Sequence, residues 1–373
     1  MMSELKTNKR ILMGPGPSDV HPKVLQAMAT PLIGHLDPQF VQLMDEVKQM
    51  VQQTFMTKNE LSFVVSAPGS AGMETCFVNL LEPGDEVIIC VNGVFGGRMV
   101  AIAERCGAIV HKVESPWGSI ITEDQVKNAL EKCKKPKLLA LVHAETSTGV
   151  LQPLQEISKL VHNAGALLVV DAVTSYCGMP LKVDEWNIDA VYTGTQKCLS
   201  APPGLSPISF SKAAVNVLEN RKTPVQSWFM DLNLVKDYWS GSKRAYHHTA
   251  PVSSIFALHQ ALRLVLEEGL EKRYKRHQIV HKVLVSKLEG LGFRFLVDPS
   301  YRLPNLNSVF LPEGNEEGVI RKKLLDTYNI EVGGGLGAFA GKIWRIGIMG
   351  ESCTLNHVNI LVGALEDMKE FKH

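Results

Sequence analysis

Short apolar runs recur between residues 62 and 210, and amphipathic stretches separate most of them. The stretches, such as AGMETCFVNLL and LQEISKLVHNAG, carry apolar residues at helical spacing and lie next to glycine or proline. Apolar strands that alternate with helices are typical of a parallel sheet covered on both faces. The pattern therefore predicts an α/β fold with a large, mostly parallel seven-stranded sheet. The runs are SFVVS (62–66), EVIIC (86–90), AIVHKV (108–113), KLLALV (137–142), ALLVVD (166–171), DAVYT (189–193) and SPISF (206–210).

The pattern changes after about residue 253. One long stretch with helical spacing begins at residue 254, and three further apolar runs follow at 293–297, 307–312 and 342–349. We expect a large domain over residues 21–253 and a smaller C-terminal α/β domain over residues 254–373. The segment 1–20 is expected to cross over to the small domain or to a partner subunit.

Polar side chains follow several of the predicted strands at the point where each strand ends. Asp171 ends the run ALLVVD, and the run KLLALV is followed by His143, Glu145 and Thr146. Ligands bind at the carboxyl ends of the strands in open parallel sheets, so these side chains are candidates for one site. Taken alone, Asp171 could equally be a helix N-cap.

The turn APGSAGMET follows the first run and opens a predicted helix. Backbone N–H groups at a helix start, with a hydroxyl beside them, can hold a phosphate group, which makes Gly69, Ser70 and Ala71 candidates. An ordinary strand-to-helix turn is the alternative explanation of this stretch.

Lys197 lies in GTQKCLSAPPG (194–204), a segment in which no other side chain is charged. Together with Asp171 and the phosphate turn, it supplies the groups that a pyridoxal phosphate enzyme needs. The lysine amine forms a Schiff base with the cofactor aldehyde, the acid keeps the pyridine nitrogen protonated, and the helix start binds the phosphate. The alternative is an ordinary surface lysine.

Motifs along nearly the whole chain resemble class V of the fold-type I pyridoxal phosphate aminotransferases, in particular the alanine–glyoxylate and serine–pyruvate aminotransferases. The resemblance implies the fold-type I architecture, with a large sheet domain and a smaller C-terminal domain. The motifs that carry it are MGPGPSDVHPKVLQAM (13–28), NLLEPGDEVIICVNGVFGGR (79–98), HAETSTGVLQP (143–153), VVDAV (169–173), GTQKCLSAPPG (194–204), YHHTAP (246–251) and GKIWRIGIMG (341–350).

The resemblance assigns roles to residues of the cofactor site. It implies that Lys197 forms the Schiff base and shuttles a proton, and that Asp171 pairs with the pyridine nitrogen. Thr146 is similar to the hydroxyl residue near the ring's 3-oxygen, and Gln196 matches a phosphate contact beside the turn of Gly69, Ser70 and Ala71. Phe95 takes the place of the aromatic residue that stacks on the ring, with core packing as the alternative.

The substrate site follows from the same resemblance. Arg345 lies in the apolar run KIWRIGIM, and a buried arginine needs an anionic partner. The resemblance implies that its guanidinium binds the substrate α-carboxylate, and an internal salt bridge is the alternative. Gly16 and Gly34 are expected to bring main chain close to the substrate.

The motif YHHT implies that the active site is shared between two subunits. Tyr246 and Thr249 resemble residues that reach the cofactor phosphate of the neighbouring subunit, so a homodimer is expected. Adjacent histidines point in different directions on most backbones, and no third ligand is suggested. We therefore expect no metal site at His247 and His248.

Composition excludes several other classes of function. The chain has 373 residues, is 45% hydrophobic and 21% charged, and carries a formal net charge of +1, which gives no electrostatic signal for nucleic acid or an anionic membrane. Its seven cysteines include no CxxC pair, and the N-terminus shows no secretory signal. These features predict a cytoplasmic protein.

The sequence therefore predicts a pyridoxal phosphate aminotransferase that moves the amino group of alanine or serine to glyoxylate, in ping-pong fashion through Lys197. The donor could also be (S)-ureidoglycine, because GHLDP (34–38) resembles the ureidoglycine–glyoxylate enzymes. A lyase or desulfurase is an alternative, although Cys353 does not match the position of a desulfurase cysteine. A catalytically inactive scaffold is disfavoured by the presence of Lys197, Asp171 and Arg345 together. The motif GGGLGA (333–338) leads into a strand, so we interpret it as a loop and not as a dinucleotide site.

Overall fold

The computed structural model describes residues 4–240 and 244–372. The strands are β1 (Ile11–Leu12), β2 (Leu61–Val65), β3 (Glu86–Val91), β4 (Ile109–Glu114), β5 (Pro136–Val142), β6 (Ala144–Glu145), β7 (Val150–Leu151), β8 (Leu167–Asp171), β9 (Ala190–Tyr192), β10 (Ser206–Phe210), β11 (Arg294–Phe295), β12 (Leu306–Phe310), β13 (Ile330–Glu331), β14 (Gly333–Gly334) and β15 (Ile343–Gly347). The α-helices are α1 (Pro22–Met28), α2 (Pro38–Phe55), α3 (Gly69–Leu80), α4 (Val94–Arg105), α5 (Glu123–Lys132), α6 (Gln155–Asn163), α7 (Lys212–Glu219), α8 (Leu232–Trp239), α9 (Val252–Glu268), α10 (Leu270–Gly290), α11 (Glu317–Tyr328) and α12 (Leu355–Asp367).

The large sheet contains seven strands in the order β2-β10-β9-β8-β5-β3-β4. Only β10 runs against its neighbours, and the other strands share one direction. All seven strands predicted from the apolar runs are present, so the prediction of an α/β fold with a mostly parallel seven-stranded sheet is confirmed. Every residue of β8 and β10 is buried, which explains why these runs are continuously apolar or small.

A second, four-stranded sheet has the order β11-β12-β15-β14, and all its neighbours are antiparallel. Helices α10, α11 and α12 contribute to a separate apolar core around Trp344 and Ile346. The N-terminal segment runs to this second core, because β1 pairs in parallel with β13 and Met13 is fully buried there.

The long helical stretch predicted from residue 254 is two helices in the structure. Gly269 separates α9 from α10 with φ +84°, a left-handed conformation that glycine adopts without steric cost. The predicted strand 293–297 is also shorter, since only Arg294–Phe295 pairs with β12. The hairpin of β6 and β7 was not predicted, because two-residue strands give no periodic signal.

Helix α9 packs in the first apolar core through Ile255, Leu258 and Leu262, although these residues lie within the predicted small domain. The division of the chain into 1–20, 21–253 and 254–373 stays a prediction. Among the described residues, no helix combines the length and the apolar character that crossing a membrane requires.

Candidate active site

Lys197 lies just beyond the carboxyl end of β9, in the connection to β10. Its side chain is 8% exposed, and its Nζ donates a hydrogen bond to the carbonyl oxygen of Pro15. Burial, with a smaller contribution from the nearby positive charge of Arg345, lowers the pKa of Lys197 to about 8. A lysine amine with this pKa is partly neutral near physiological pH and can act as a nucleophile or base.

Gly16 lies directly against this lysine. A Cβ atom on Gly16 would come within 2.7 Å of Cδ and 2.8 Å of Nζ of Lys197, and the φ of Gly16 is +110°. The structure thus brings these two predicted site residues together. Glycine suits this position because its φ is positive and because any Cβ atom would displace the end of the lysine side chain.

Asp171 is the last residue of β8, the strand next to β9. One carboxylate oxygen accepts a hydrogen bond from the N–H of Val173 at 2.8 Å, and the other accepts one from the hydroxyl of Tyr192 at 2.9 Å. The residue is 2% exposed, and burial raises its pKa to about 7. The hydrogen bond to Val173 is a helix-cap-like contact, but the second oxygen reaches a side chain on the neighbouring strand.

The turn of Gly69, Ser70 and Ala71 forms the first turn of α3. The residue before it, Pro68, supplies no side-chain cap, so the helix start keeps donors for a ligand. A Cβ atom on Gly69 would meet the α-carbon of Gly194 at 3.4 Å, which shows that this turn packs against the segment carrying Lys197.

Gln196 directly precedes Lys197 in the connection between β9 and β10. A Cβ atom on Gly194 would come within 2.6 Å of the Gln196 side-chain oxygen, so the amide lies beside the glycine that meets the phosphate turn. This oxygen is buried and has no hydrogen-bond partner among the described residues. The oxygen can accept a hydrogen bond from a ligand, and the NH₂ group of the same amide is the part that can donate to an anion.

Arg98 is a residue of this site that the sequence analysis missed. It is exposed on α4, donates a hydrogen bond of 2.8 Å to the hydroxyl of Ser70, and its Cζ lies 4.9 Å from the centre of the Phe95 ring. Its spacing of three residues from Phe95 on a predicted helix is a signal that could have identified it. Phe95 itself is half-buried at the start of α4.

Thr146 and Arg345 meet across the two sheets. The Arg345 guanidinium donates to the carbonyl oxygen of Thr146 at 3.2 Å and to that of Gly334 at 2.8 Å. It is 8% exposed, burial lowers its pKa, and its hydrogen bonds among the described residues go to backbone carbonyls and not to a carboxylate. The internal salt bridge is therefore absent from the described residues. The Thr146 hydroxyl lies 2.5 Å from the hydroxyl of Thr174.

Tyr246 lies beside the segment that carries Gly34. The Tyr246 ring is 63% exposed and contacts the ring of His35, the neighbour of Gly34, at 5.4 Å between centroids. Thr249 is also exposed. His248, next to Thr249 in the chain, lies near the phosphate turn, because its Nε2 is 2.7 Å from the hydroxyl of Ser66, just before that turn. Their predicted contacts across a dimer stay predictions.

One cluster of metal-ligating side chains is present in the described part of the chain, at the opposite end of the sheet. It consists of Glu86, His111 and Cys133. The histidine and the thiol each lie 3.1 Å from one oxygen of Glu86, so hydrogen bonds account for the arrangement. The expectation of no metal stays a prediction.

Cys353 lies in the second core, where it is fully buried. Burial raises the pKa of its thiol to about 12, which leaves it protonated and unreactive. The motif GGGLGA forms β14 and a short 3₁₀ turn at Gly337–Phe339, and no α-helix follows it before β15. A dinucleotide site needs a helix there.

Comparison with known proteins decides the family. The family described as aminotransferase class-V matches residues 12–345. The chain belongs to the class-V aminotransferases. It is therefore an aminotransferase, as the motifs predicted.

Curated relatives and solved structures resemble this aminotransferase over nearly its whole length. The alanine–glyoxylate aminotransferase of Oryctolagus cuniculus is 43% identical over 97% of this chain and 93% of its own. The (S)-ureidoglycine–glyoxylate transaminase of Bacillus subtilis is 39% identical over 97% of this chain and 91% of its own. The crystal structure of alanine–glyoxylate aminotransferase from Nostoc sp. superposes with a TM-score of 0.96 at 45% identity, covering 98% of this chain and 97% of that one.

The aminotransferase contains further site residues that sequence reasoning did not find. Tyr192 is register-paired with Asp171 on the neighbouring strand, so the pairing of the predicted strand ends could have indicated it. Thr174, which contacts Thr146, lies in a turn without a periodic pattern.

The side chains present fit a phosphorylated pyridine aldehyde. A partly neutral amine, a buried carboxyl, an uncapped helix start and an amide without a partner all lie at the carboxyl edge of the large sheet. An aldehyde, a ring nitrogen and a phosphate are the groups that such a set binds.

Proposed function

We propose that this aminotransferase uses pyridoxal 5'-phosphate to move the amino group of a small amino acid, alanine or serine, to glyoxylate, giving glycine and a 2-keto acid. The observation that carries the proposal is Lys197, a buried lysine whose pKa is lowered to about 8 and whose Nζ is held by Pro15. The relatives named for glyoxylate reactions support the choice of acceptor.

The proposal gives Lys197 and Asp171 the chemical roles. When bound, the cofactor withdraws electrons from the substrate α-carbon and so acidifies its proton. Lys197 Nζ would take that proton from the α-carbon and return it to the carbon of the former aldehyde group, on the far side of the nitrogen between them, because its lowered pKa leaves the amine partly neutral. Asp171 holds a positive ring nitrogen by its buried carboxylate, while Val173 and Tyr192 fix the orientation of both its oxygens.

Binding roles follow for the remaining residues. Gly69, Ser70, Ala71 and Gln196 bind the phosphate, Phe95 stacks on the ring, and Thr146 contacts the ring's 3-oxygen region. Arg345 binds the substrate α-carboxylate with its planar fork, since backbone carbonyls orient the guanidinium and no carboxylate of the described residues pairs with it. Gly16 and Gly34 bring main chain to the substrate.

We further propose a homodimer in which Tyr246 and Thr249 reach the phosphate of the partner subunit. Both side chains are exposed, and the large exposed ring of Tyr246 is typical of an interface residue. The domains would be residues 21–253 and 254–373, with the segment 1–20 crossing to the small domain or to the partner subunit. The cytoplasmic location stays a prediction.

The second candidate donor is (S)-ureidoglycine. The structure of the ureidoglycine–glyoxylate aminotransferase from Bacillus subtilis superposes with a TM-score of 0.95 at 40% identity. A lyase or desulfurase is less well supported, because Cys353 is buried and the cysteine desulfurase of Thermococcus onnurineus shares 16% identity, which supports the common fold alone.

The test is a half-reaction measured by the absorbance of the cofactor in the purified holoprotein. Alanine, serine or ureidoglycine alone should shift the spectrum, and glyoxylate should restore it. The fastest donor identifies the enzyme. A spectrum that no donor changes would contradict the transamination, and an unchanged spectrum and rate in Lys197→Ala would contradict the role of the lysine.

A further inference from the structure

Glu145 is a buried carboxylate that the proposed function leaves without a role. It ends β6 and is 0% exposed. One oxygen accepts hydrogen bonds from the N–H and the hydroxyl of Ser147, at 3.0 and 2.6 Å, and the other accepts one from the N–H of Phe95 at 3.3 Å. All these partners donate, so both oxygens act as acceptors. Burial raises the pKa of this carboxyl, while the hydrogen bonds from Ser147 and Phe95 act in the opposite direction.

These contacts cap helix α4, which lacks a local cap. The residue before the helix is Gly93, which has no side chain to accept from the first N–H groups. The N–H of Val94 donates instead to the Ser147 hydroxyl at 3.0 Å, and that of Phe95 donates to Glu145. A negative charge at a helix N-terminus is also favourable to the helix dipole.

The space around this carboxylate is closed. A Cβ atom on Gly93 would lie 2.3 Å from the carboxyl carbon of Glu145 and 2.5 Å from the Ser147 hydroxyl. The glycine therefore allows the hairpin of β6 and β7 to approach the helix start, and the carboxylate fixes the distance between them.

The same hairpin contacts both halves of the proposed site. Phe95, in the first turn of α4, hydrogen-bonds to Glu145. Thr146, the next residue after Glu145, accepts a hydrogen bond from Arg345. The negative charge of Glu145 is also close enough to Arg345 to favour its charged form.

We infer that Glu145 is a positioning residue, whose carboxylate fixes the first turn of α4 and thereby holds the Phe95 ring where it can stack on the cofactor. The inference rests on the proposed function, because it uses the role given there to Phe95. Glu145 acts through Phe95 and does not itself touch the cofactor.

The first test is Glu145→Gln, which keeps the shape and replaces one acceptor oxygen with a donor. An N–H₂ group facing Phe95 N–H or the Ser147 donors cannot accept their hydrogen bonds. We expect pyridoxal phosphate to bind the apoprotein about tenfold more weakly, with a smaller circular dichroism signal from the bound ring. Equilibrium dialysis and visible circular dichroism measure both quantities without any turnover.

A second variant covers the case in which Glu145→Gln does not fold. Ser147→Ala keeps the carboxylate but removes the hydroxyl that joins it to Val94. We expect a smaller loss of cofactor affinity, about threefold, with the same direction of change in the dichroism signal.

Asp189→Asn is the matched control. Asp189 is also a buried acid that accepts from a backbone N–H, that of Leu168 at 2.9 Å, and from a serine hydroxyl, that of Ser211 at 2.7 Å. It lies before β9, at the opposite edge of the sheet from Lys197. We expect this variant to lower the melting temperature while leaving cofactor affinity unchanged.

A double-mutant cycle with Phe95→Ala tests the route of the effect. If Glu145 acts through the ring, Glu145→Gln should weaken pyridoxal phosphate binding about tenfold in the wild-type background. In the Phe95→Ala background it should weaken binding by less than about twofold. The inference would be overturned if the loss of affinity in the double variant equalled the product of the losses in the two single variants. It would also be overturned if the Glu145→Gln protein had wild-type affinity and a wild-type dichroism signal. Wild-type protein that binds no pyridoxal phosphate would instead contradict the proposed function.

Discussion

Gly16 and the side chain of Lys197 are in direct contact although 181 positions separate them in the chain. A methyl group on Gly16 would overlap the end of the lysine, at 2.7 Å from Cδ and 2.8 Å from Nζ. The adjacent carbonyl of Pro15 accepts the lysine's hydrogen bond. The N-terminal segment thus packs directly against the Lys197 side chain.

Gly16→Ala should lower kcat by more than about tenfold, because the lysine must move away from its position. The positive φ of Gly16 adds strain, so stability should fall as well. Gly84→Ala is the control: its φ is +88°, but a Cβ atom there meets nothing within 4 Å. Equal losses of kcat in the two variants, measured beside their melting temperatures, would show that strain and not the contact is responsible.

The pKa of Lys197, lowered to about 8, predicts how fast the apoprotein captures its cofactor. Only the neutral amine attacks an aldehyde, so the capture rate should rise steeply between about pH 7 and 9 and level off above the pKa. Stopped-flow absorbance with pyridoxal phosphate measures it, and Lys197→Arg should show no covalent capture. A rate that keeps rising to pH 10 would indicate an ordinary lysine.

Asp171 should make the folded apoprotein less stable as the pH rises. Its pKa is raised from 3.8 to about 7 by burial, so between these values the folded state binds the proton that the unfolded state has lost. The stability it contributes is therefore present at acid pH and is lost as the pH approaches 7. Asp171→Asn should gain stability relative to wild type from about pH 4 to pH 7 and gain no more above pH 7, as measured by urea unfolding of both apoproteins. A constant difference across this range would contradict the raised pKa.

Arg345→Lys should raise the KM for the amino donor by about 10- to 100-fold, because lysine cannot form the bidentate contact with a carboxylate. In the wild type, the guanidinium also donates to the backbone carbonyls of Thr146 and Gly334. Arg294→Lys, an exposed substitution on β11 of the same sheet, is the control and should leave KM unchanged. An unchanged KM in Arg345→Lys would exclude this arginine as the carboxylate site.

Arg98→Leu should weaken the binding of pyridoxal phosphate more than that of pyridoxal, which lacks the phosphate. The guanidinium hydrogen-bonds to Ser70 on the proposed phosphate turn, and its charge should attract the phosphate. We expect about a tenfold loss for the phosphorylated compound at low salt, and a smaller loss at high salt. Equal losses for both compounds, measured by equilibrium dialysis, would assign Arg98 to support of Phe95 alone.

The pattern of apolar runs predicted the large sheet well because most of its strands are buried and mainly apolar, whereas the edge strand β4 is largely exposed. The strand ends then identified Asp171 and Lys197, since topology alone brings them to one edge. Contacts without a local pattern could not be found in this way. Pro15 against Lys197, Tyr192 against Asp171 and Arg98 against Ser70 depend on side-chain directions in the folded chain. The helix break at Gly269 was missed because a glycine within a periodic stretch gives an ambiguous signal.

Residues 11–18 form hydrogen bonds both with the C-terminal part of the chain and with Lys197. Leu12 pairs with β13, and the carbonyl of Met13 accepts from Gly347, two residues beyond Arg345. A few residues later, Pro15 and Ser18 hold Lys197. Residues 11–18 therefore contact both the second sheet and Lys197. In the proposed function, the binding of the substrate carboxylate by Arg345 and the release of the Lys197 amine would both depend on the position of these eight residues.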